Sequence, residues 1–407
     1  MTFKLKKIGP GLLFAGAAIG VSHLVQSTRA GADFGFGLIW ALLLVNIFKY
    51  PFFQFGPRYA LATGETLLEG YRKLGKGVLI IYFVLTFATM FTIQSAVTVV
   101  TAGLATSIFG DFISMEIWTV VILSVCFFIL IIGKYNFLDK LMKLIIITLT
   151  ISTIVAVSFA FQNSNQPPSL TQVFPNAFEF GFLIAFMGWM PAPLDISVWH
   201  SIWAIEKQKT DKEYTVKSTL FDFNVGYFTT IVLGLGFLSL GALVMFESGE
   251  VFSGTAGKFS NQLISMYTDS LGNWSYILIA IAALTTMFST TLTTLDASPR
   301  AMAKTTELLF GDFLKRPYLL WILVLILGTI LILFFFKSDM ILLIKIATVL
   351  SFLTAPFYAI INYTLISSQH TPKQWRPSTK LHILSWLGIL FLIGFSIWYL
   401  TLLNTPN

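Results

Sequence analysis

Two short segments of the sequence combine helix-breaking residues with side chains that could bind an ion or a polar solute. The first is GAAIGVSHLVQ, beginning at Gly16, and the second is MGWMPAPLD, beginning at Met187. Imidazole and thioether groups suit softer transition metals, whereas carboxylates suit hard cations. We predict one substrate or ion site formed by Gly20, Ser22, His23, Met187, Met190, Ala192 and Asp195, with His23, Met190 and Asp195 as the candidate metal ligands.

Each of these side chains also has an ordinary structural role open to it. Methionine commonly fills gaps in a core, and a buried histidine can simply be hydrogen-bonded. Asp195 follows Pro193 closely and suits the positive N-terminal end of a half-helix as its cap. His23 and Asp195 are also candidate proton carriers, because ionisable groups inside a membrane often have a function and histidine titrates near neutral pH.

A third segment, STTLTTLDASPR from Ser289, places hydroxyl groups ahead of a charged pair. Neutral oxygens beside a broken helix could bind sodium, so Thr290, Thr293 and Thr294 are candidates for a coupling-ion site. Hydroxyl groups in membrane helices also pack or hydrogen-bond to preceding carbonyls. Asp296 and Arg300 stand one helical turn apart and are expected to pair, which makes them a candidate inner gate.

The composition around these segments fits a chain that spans a membrane. Hydrophobic residues make up 56% of the 407 residues and charged residues only 11%, whereas soluble domains contain about a quarter charged residues. A spanning helix needs about 20 apolar residues. The sequence predicts an all-α membrane protein with about eleven transmembrane helices, near residues 10–28, 36–60, 78–108, 114–133, 138–161, 177–204, 216–246, 273–297, 317–336, 340–366 and 381–403.

Other classes of protein are disfavoured by the same composition. The formal net charge is +7, but the basic residues lie in short loops without interleaved aromatic residues, so nucleic-acid binding is not expected. Cys126 is the only cysteine, which leaves no disulfide framework. No catalytic trio or cofactor motif is recognisable, so we expect neither an enzyme nor a bound cofactor. The expected partners are the lipid bilayer and a transported ion or solute, and nothing indicates an oligomeric state.

The distribution of lysine and arginine predicts the orientation in the membrane. With the N-terminus inside, 21 of the 26 basic residues fall in cytoplasmic segments, only Arg29, Lys258 and Lys337 fall outside, and Lys49 and Lys345 lie within spans. Cytoplasmic loops are generally enriched in Lys and Arg. We therefore predict a cytoplasmic N-terminus on a retained first helix and an external C-terminus, in a bacterial inner (cell) membrane.

An uncharged connector, residues 162–176, divides the spans into two halves of opposite orientation. Five predicted spans precede it, so the sixth runs inward where the first ran outward, as an inverted repeat requires. We predict one transmembrane domain over residues 1–407, with repeats at 10–161 and 177–366 and a peripheral helix at 381–403.

The first and sixth spans are predicted to be interrupted at corresponding places. The first contains Gly16 and Gly20 ahead of its polar residues, and the sixth contains Pro191 and Pro193 in its middle. Glycine weakens a helix, and proline removes a donor and clashes with the preceding turn. Paired breaks in opposed repeats point to a midplane substrate site, so the predicted function is secondary transport by alternating access.

Several motifs resemble the Nramp family of divalent-metal transporters. They are the stretch from Gly9 to Trp40, TGETL from Thr63, STTLTTLDASPRAM from Ser289 and TVLSFLTAPFYAI from Thr348. The resemblance implies a LeuT-like (APC-type) fold, with a five-plus-five inverted repeat and one extra helix. It also implies proton-coupled uptake of a divalent metal.

The chemistry departs from the family pattern at its metal and proton positions. Where the first-span motif of the family is Asp-Pro-Gly-Asn, residues 20–23 read Gly-Val-Ser-His, and where the sixth-span motif is Met-Pro-His, residues 190–192 read Met-Pro-Ala. Gln94 and Val97 stand where the third span of the family carries acidic residues. The resemblance therefore supports the fold more strongly than it supports the usual metal site.

Three hypotheses follow from this divergence. The first is an Nramp-related transporter of divalent cations with a substituted site. The second is a sodium- or proton-coupled carrier of a small organic solute or anion, using backbone groups and half-helix ends in place of carboxylates. The third is a non-transporting sensor, because the scaffold also resembles the Nramp-like membrane domain of a plant ethylene-signalling protein.

Overall fold

The computed structural model describes residues 9–404, apart from positions 111, 133–134, 164–168, 177–178, 247–251, 313 and 337–339. Outside the described residues lie some of the predicted topology determinants: Lys4, Lys6, Lys7, Lys134 and Lys337, with Pro167 and Pro168 of the connector. The described part of the chain is built from helices and contains no β-strand. The predicted all-α class is confirmed.

The helices, in chain order, are numbered α1 to α15. The first half contains α1 Pro10–Ala18, α2 Thr28–Phe34, α3 Ile39–Thr63, α4 Leu67–Leu74, α5 Lys76–Phe109, α6 Met115–Ile132 and α7 Tyr135–Asn163. The second half contains α8 Phe180–Trp189, α9 Ile196–Thr210, α10 Val216–Leu240, α11 Ala256–Leu271, α12 Tyr276–Phe310, α13 Pro317–Phe336, α14 Met340–Ser367 and α15 Thr379–Asn404. A π-helical turn, Ser22–Ser27, joins the first break to α2.

Every predicted span coincides with a helix or with a pair of helices. Within the described ranges, eight helices are long and apolar enough to cross a membrane, and the segments Pro10–Ala18 and Ser22–Phe34, bent by 49° at their junction, form a ninth candidate. The two remaining predicted spans correspond to α7 and to the pair α8 and α9. The chain is therefore an integral, polytopic membrane protein.

Both predicted interruptions are present. Helix α1 ends at Ala18 and the π-helical turn begins at Ser22, so the first break lies at Ile19 to Val21. Helix α8 ends at Trp189 and α9 begins at Ile196, so the second break covers residues 190–195. Pro191 and Pro193 explain the second break, because neither residue can donate to a carbonyl of the preceding turn.

The N-terminal end of α1 is fixed on α10 by a contact between backbones. A Cβ atom on Gly11 would lie 2.1 Å from the Asp222 carbonyl oxygen, and one on Gly226 would lie 2.0 Å from the Gly11 carbonyl oxygen. The Asp222 carboxylate accepts hydrogen bonds from the Gly9 and Gly11 amides at 3.1 and 2.8 Å. These amides have no partner within the first turn of a helix, and a negative charge is favourable there.

Two helices in the connectors were not predicted. Helix α4 follows the second span and begins with a capping box, in which the Thr66 amide donates to Glu69 Oε2 at 2.7 Å. That Thr-x-x-Glu spacing is a helix-start signal in the sequence. Helix α11 lies in the connector between α10 and α12. Neither helix changes the number of spans.

Candidate functional site

A small cavity lies between the two breaks. Its volume of ≈ 20 Å³ is enough for about one water molecule. Four predicted spans contribute to its walls, which are formed by Ala17, Ala18, Gly20, Val21, Ser22, Ile93, Val97, Trp189, Pro193, Ile196, Trp199, Thr290 and Thr294. The two breaks therefore face each other, and the surface between them consists of apolar side chains, hydroxyl groups and backbone.

At the first break, Thr290 of α12 occupies the space beside the backbone. Its hydroxyl lies 3.3 Å from the Gly16 carbonyl oxygen, 3.2 Å from that of Ile19 and 3.1 Å from that of Thr286. A Cβ atom on Gly20 would lie 2.8 Å from Thr290 Cγ2. Only glycine fits at position 20 while Thr290 stays in place. A hydroxyl has one hydrogen, so Thr290 can donate to one of these carbonyls at a time.

His23 is fully buried and both of its ring nitrogens are engaged. Nε2 lies 2.9 Å from the Thr230 carbonyl oxygen, and Nδ1 lies 2.7 Å from Ser22 Oγ. Because a carbonyl oxygen only accepts, Nε2 must carry the hydrogen. Ser22 Oγ is also 2.6 Å from the Ala18 carbonyl oxygen. His23 can therefore bind a metal only by giving up one of these contacts.

At the second break, the ammonium group of Lys49 lies among backbone carbonyls. Lys49 belongs to α3 and is fully buried. Its Nζ atom lies 2.8, 2.7, 3.2 and 3.3 Å from four carbonyl oxygens, those of Met187, Gly188, Met190 and Ala192 respectively. A positive charge thus stands among residues that the sequence suggested as ion ligands.

The remaining predicted ligands of the second break do not converge on the cavity. Met187, Met190 and Ala192 are fully buried in the apolar core, and Met190 Sδ lies 3.3 Å from the place of a Cβ on Gly234. Asp195 occupies the N-cap position of α9, but its side chain makes no capping hydrogen bond, and its Oδ1 has no hydrogen-bond partner among the residues that the structure describes. Among the described residues, no group of three or more His, Cys, Asp or Glu side chains is placed to hold a metal.

The hydroxyl groups of α12 divide into two sets. Thr290 and Thr294 line the cavity, and the Thr294 hydroxyl donates to Gln94 Oε1 at 2.8 Å. The Thr293 hydroxyl donates to the Ser289 carbonyl of its own helix at 2.8 Å. The structure thus brings two of the three predicted sodium ligands to the first break.

Asp296 and Arg300 form the pair that their spacing predicts. Arg300 Nε lies 2.8 Å from both carboxylate oxygens of Asp296. The Tyr318 hydroxyl donates to the same carboxylate, and the Arg300 guanidinium carbon lies 4.7 Å from the centre of the Tyr318 ring. This cluster joins the C-terminal half of α12 to the start of α13.

A larger cavity of ≈ 380 Å³ lies between α2, the start of α8 and α14. Its charged residues are Arg29, Asp33, Glu179 and Lys345, and Arg29 pairs with Asp33 at 3.8 Å. Gln26 also lines it, and this residue follows the first break by one turn of helix. The cavity therefore lies on the side of the first break that the charge pattern predicts to be external.

Sequence reasoning missed Lys49 and the charged outer cavity. Lys49 could have been found from the sequence, since an ionisable side chain within a predicted span suggests a function. Its partners could not have been found in this way, because they belong to a segment 138 to 143 positions further along the chain. The charged cavity likewise combines residues of several distant helices.

Comparison with known sequences identifies the family of this chain. The model of the Nramp family, described as natural resistance-associated macrophage protein-like, matches residues 11–402. An uncharacterised protein of Pasteurella multocida is 37% identical over 98% of this chain and 92% of its own length. The divalent metal cation transporter MntH of Staphylococcus saprophyticus is 24% identical over 95% of this chain and 89% of its own length.

Solved structures support the same fold. A manganese transporter of Eremococcus coleocola, in complex with an aromatic bis-isothiourea substituted compound, superimposes with a TM-score of 0.72 at 15% identity, covering 98% of this chain and 88% of that one. MhsT in complex with L-phenylalanine superimposes with a TM-score of 0.66 at 14% identity, covering 95% and 98%. The predicted LeuT-like fold is confirmed. The chain belongs to the Nramp family of membrane transporters.

Proposed function

We propose that this chain is a secondary transporter that moves a small polar solute, other than a manganese-type divalent cation, through the space between its two breaks. The observation that carries the proposal is the lining of the central cavity, which contains hydroxyl groups and backbone but no carboxylate. Rocking of one bundle of helices against a scaffold would expose this space to each side in turn.

The physical argument concerns the dehydration of the substrate. A hard divalent cation that leaves water needs negatively charged oxygen ligands to offset its lost hydration. Gly20 has no side chain and no room for one beside Thr290. Asp195 is the carboxylate of the second break, and it does not line the cavity. Neutral hydroxyl and backbone groups suit a neutral or singly charged polar solute better than a divalent cation.

Divalent-metal transport is the second candidate, and the sequence similarity to a named metal transporter favours it. The relative from Staphylococcus saprophyticus is named a divalent metal cation transporter and matches 95% of this chain. A softer metal could use His23, Met190 and Asp195 if His23 releases Ser22 or Thr230. This candidate therefore requires rearrangement at both breaks before any metal binds.

The proposal includes coupling and orientation. His23 and Asp195 are the candidate proton carriers, and Thr290 with Thr294 is the candidate sodium position, with Thr293 turned toward its own helix. We place the N-terminus in the cytoplasm and the C-terminus outside a bacterial inner membrane, because most basic residues then lie in cytoplasmic segments. The cavity beside Arg29 and Lys345 is then the external entrance.

The experiment compares metal uptake with solute uptake in proteoliposomes. The Staphylococcus saprophyticus relative serves as the metal-transporting control in the same lipid. We expect manganese uptake by this chain at the level of empty liposomes, and unchanged in His23→Ala. Saturable manganese uptake that disappears in His23→Ala or Asp195→Asn would instead establish the second candidate.

The solute is sought by thermal unfolding with amino acids, organic acids and other small metabolites. A compound that raises the unfolding midpoint is then tested as a radiolabelled substrate with an imposed proton or sodium gradient. We expect gradient-driven accumulation of such a compound. Binding without any flux would favour the non-transporting sensor and contradict the proposal.

A further inference from the structure

The environment of Lys49 resembles that of a bound cation more than that of an ion pair. An ammonium group has three donors, and here four carbonyl oxygens lie within 3.3 Å of Nζ. No salt bridge joins Lys49 to Asp195 in the described part of the chain. The nearest partners of this charge are therefore backbone oxygens.

The sequence of the second break explains why these oxygens are available. The last carbonyl groups of any helix have no amide partner in the following turn. Met190 still donates to the Phe186 carbonyl at 3.2 Å, but the next residue is Pro191, which has no N–H to offer Met187. The carbonyl end of α8 also carries the negative end of the helix dipole. The break thus creates a concentrated group of acceptors that attracts a cation.

The position of Lys49 makes it a fixed occupant of that group. It is fully buried and comes from the middle of α3, so its four-carbon stem crosses from one helix to the break of another. The occupancy of a free cation at the same place would depend on the concentration of that ion. A lysine side chain stays in place in every conformation that keeps α3 against α8.

We infer that residues 187–192 form a monovalent-cation site of which Lys49 is the tethered occupant, so that the second break is held by the chain's own ammonium group and needs no dissolved ion. The inference concerns binding at this break and does not depend on which solute is transported. It predicts a latent site: shortening the side chain should leave an oxygen-lined space that accepts sodium, potassium, ammonium or methylammonium.

The test measures thermal unfolding of the purified full-length protein in lipid nanodiscs, with choline, sodium, potassium, ammonium or methylammonium chloride at equal ionic strength. The variants are Lys49→Ala, which opens the space, and Lys49→Met, which fills it with an apolar chain. Lys345→Ala is the control, because Lys345 also lies in a membrane helix, α14, and is exposed.

We expect Lys345→Ala to respond to each of these salts as the wild type does. Lys49→Ala should unfold at a lower temperature in choline and recover by roughly 2 to 5 °C in at least one of the smaller cations. Lys49→Met should be destabilised without recovery. A Lys49→Ala protein that ignores every cation would overturn the inference, as would a wild type that shows the same cation dependence.

A further variant tests the charge itself and remains informative if Lys49→Ala does not fold. Lys49→Gln keeps two N–H donors and removes the charge. We expect Lys49→Gln to unfold at a temperature close to that of Lys49→Met. If Lys49→Gln matched the wild type instead, hydrogen bonding alone would account for Lys49 and the cation site would be refuted.

Discussion

The two breaks of this transporter are stabilised by different chemistry. At Ile19 to Val21, a neutral hydroxyl from α12 lies 3.2 to 3.3 Å from the carbonyls. At residues 190–195, a buried ammonium from α3 lies as close as 2.7 Å. In each case a side chain from a neighbouring helix offers a donor to backbone carbonyls that would be costly to leave unpaired in a membrane.

The difference indicates where a solute can bind. The hydroxyl of Thr290 lies at a long hydrogen-bond distance from the carbonyls, so a polar group of a solute can replace it at a small cost in free energy. An ammonium with four carbonyl partners is tethered and cannot be displaced without leaving a buried charge unpaired. We therefore expect the exchange of ligands during transport to take place at the first break, while the second break keeps its internal partner.

The largest expected effect comes from restoring a carboxylate to the first break. Gly20→Asp places a Cβ atom 2.8 Å from Thr290 Cγ2 and buries a charge without a partner. Overpacking and the unpaired charge together should lower the free energy of unfolding by more than about 4 kcal/mol. The measurement is the yield and thermal unfolding of the purified variant.

Gly20→Ala separates the two causes, because it adds only the methyl group. We expect Gly20→Ala to destabilise the protein less than Gly20→Asp does. Adding Thr290→Ala to Gly20→Asp should restore the part of the stability that was lost through the steric clash. Wild-type stability in Gly20→Asp alone would mean that Thr290 does not occupy the space of a side chain at position 20.

The next largest effect should distinguish the two partner side chains. Lys49→Met removes the ammonium from four carbonyls and should cost about 3 kcal/mol, whereas Thr290→Val removes one weakly bound hydroxyl and should cost about 1 kcal/mol. The two costs should add in the double variant, since separate sites rarely couple. Chemical unfolding of the four proteins gives these numbers. Equal costs, or strong coupling, would contradict the assignment of distinct partners to the two breaks.

Much of this arrangement was readable from the sequence, and the remainder depended on long-range contacts. Pro191 and Pro193 predicted the second break because proline cannot donate, and the spacing of Asp296 and Arg300 predicted their pair. The positions of the apolar helices along the chain followed from hydropathy. In each of these cases the controlling interaction is local or depends on the membrane alone.

The partners of the individual side chains were not readable. His23 was a candidate ligand, but the carbonyl that holds its Nε2 belongs to Thr230, 207 positions away. Thr290, Thr293 and Thr294 looked equivalent in sequence, and only the rotation of α12 turns Thr293 away from the break. Asp195 was placed correctly at the start of α9, although its side chain makes no capping bond.

A smaller effect is expected at the charged cluster between α12 and α13. The side chain of Arg300 is 43% exposed, but that of Asp296 is only 7% exposed and also accepts a hydrogen bond from Tyr318. Asp296→Asn should therefore lower the free energy of unfolding by about 1 to 2 kcal/mol. If the cluster closes the inner side, the same variant should alter the rate of solute uptake several-fold. An unchanged rate would show that this cluster is not part of an inner gate.

The smallest expected effect belongs to Thr293, and it sharpens the description of the first break. Thr293→Val removes a hydroxyl that bonds only to its own helix at Ser289, so the loss in stability should be below about 0.5 kcal/mol. Thr290→Val is its matched counterpart, three positions away and facing the break. If sodium stabilises the wild type, Thr290→Val should abolish that response and Thr293→Val should preserve it, as measured by thermal unfolding in sodium against choline. The reverse pattern would place the ion on the other face of α12. It would contradict the expectation that ligands exchange at the first break.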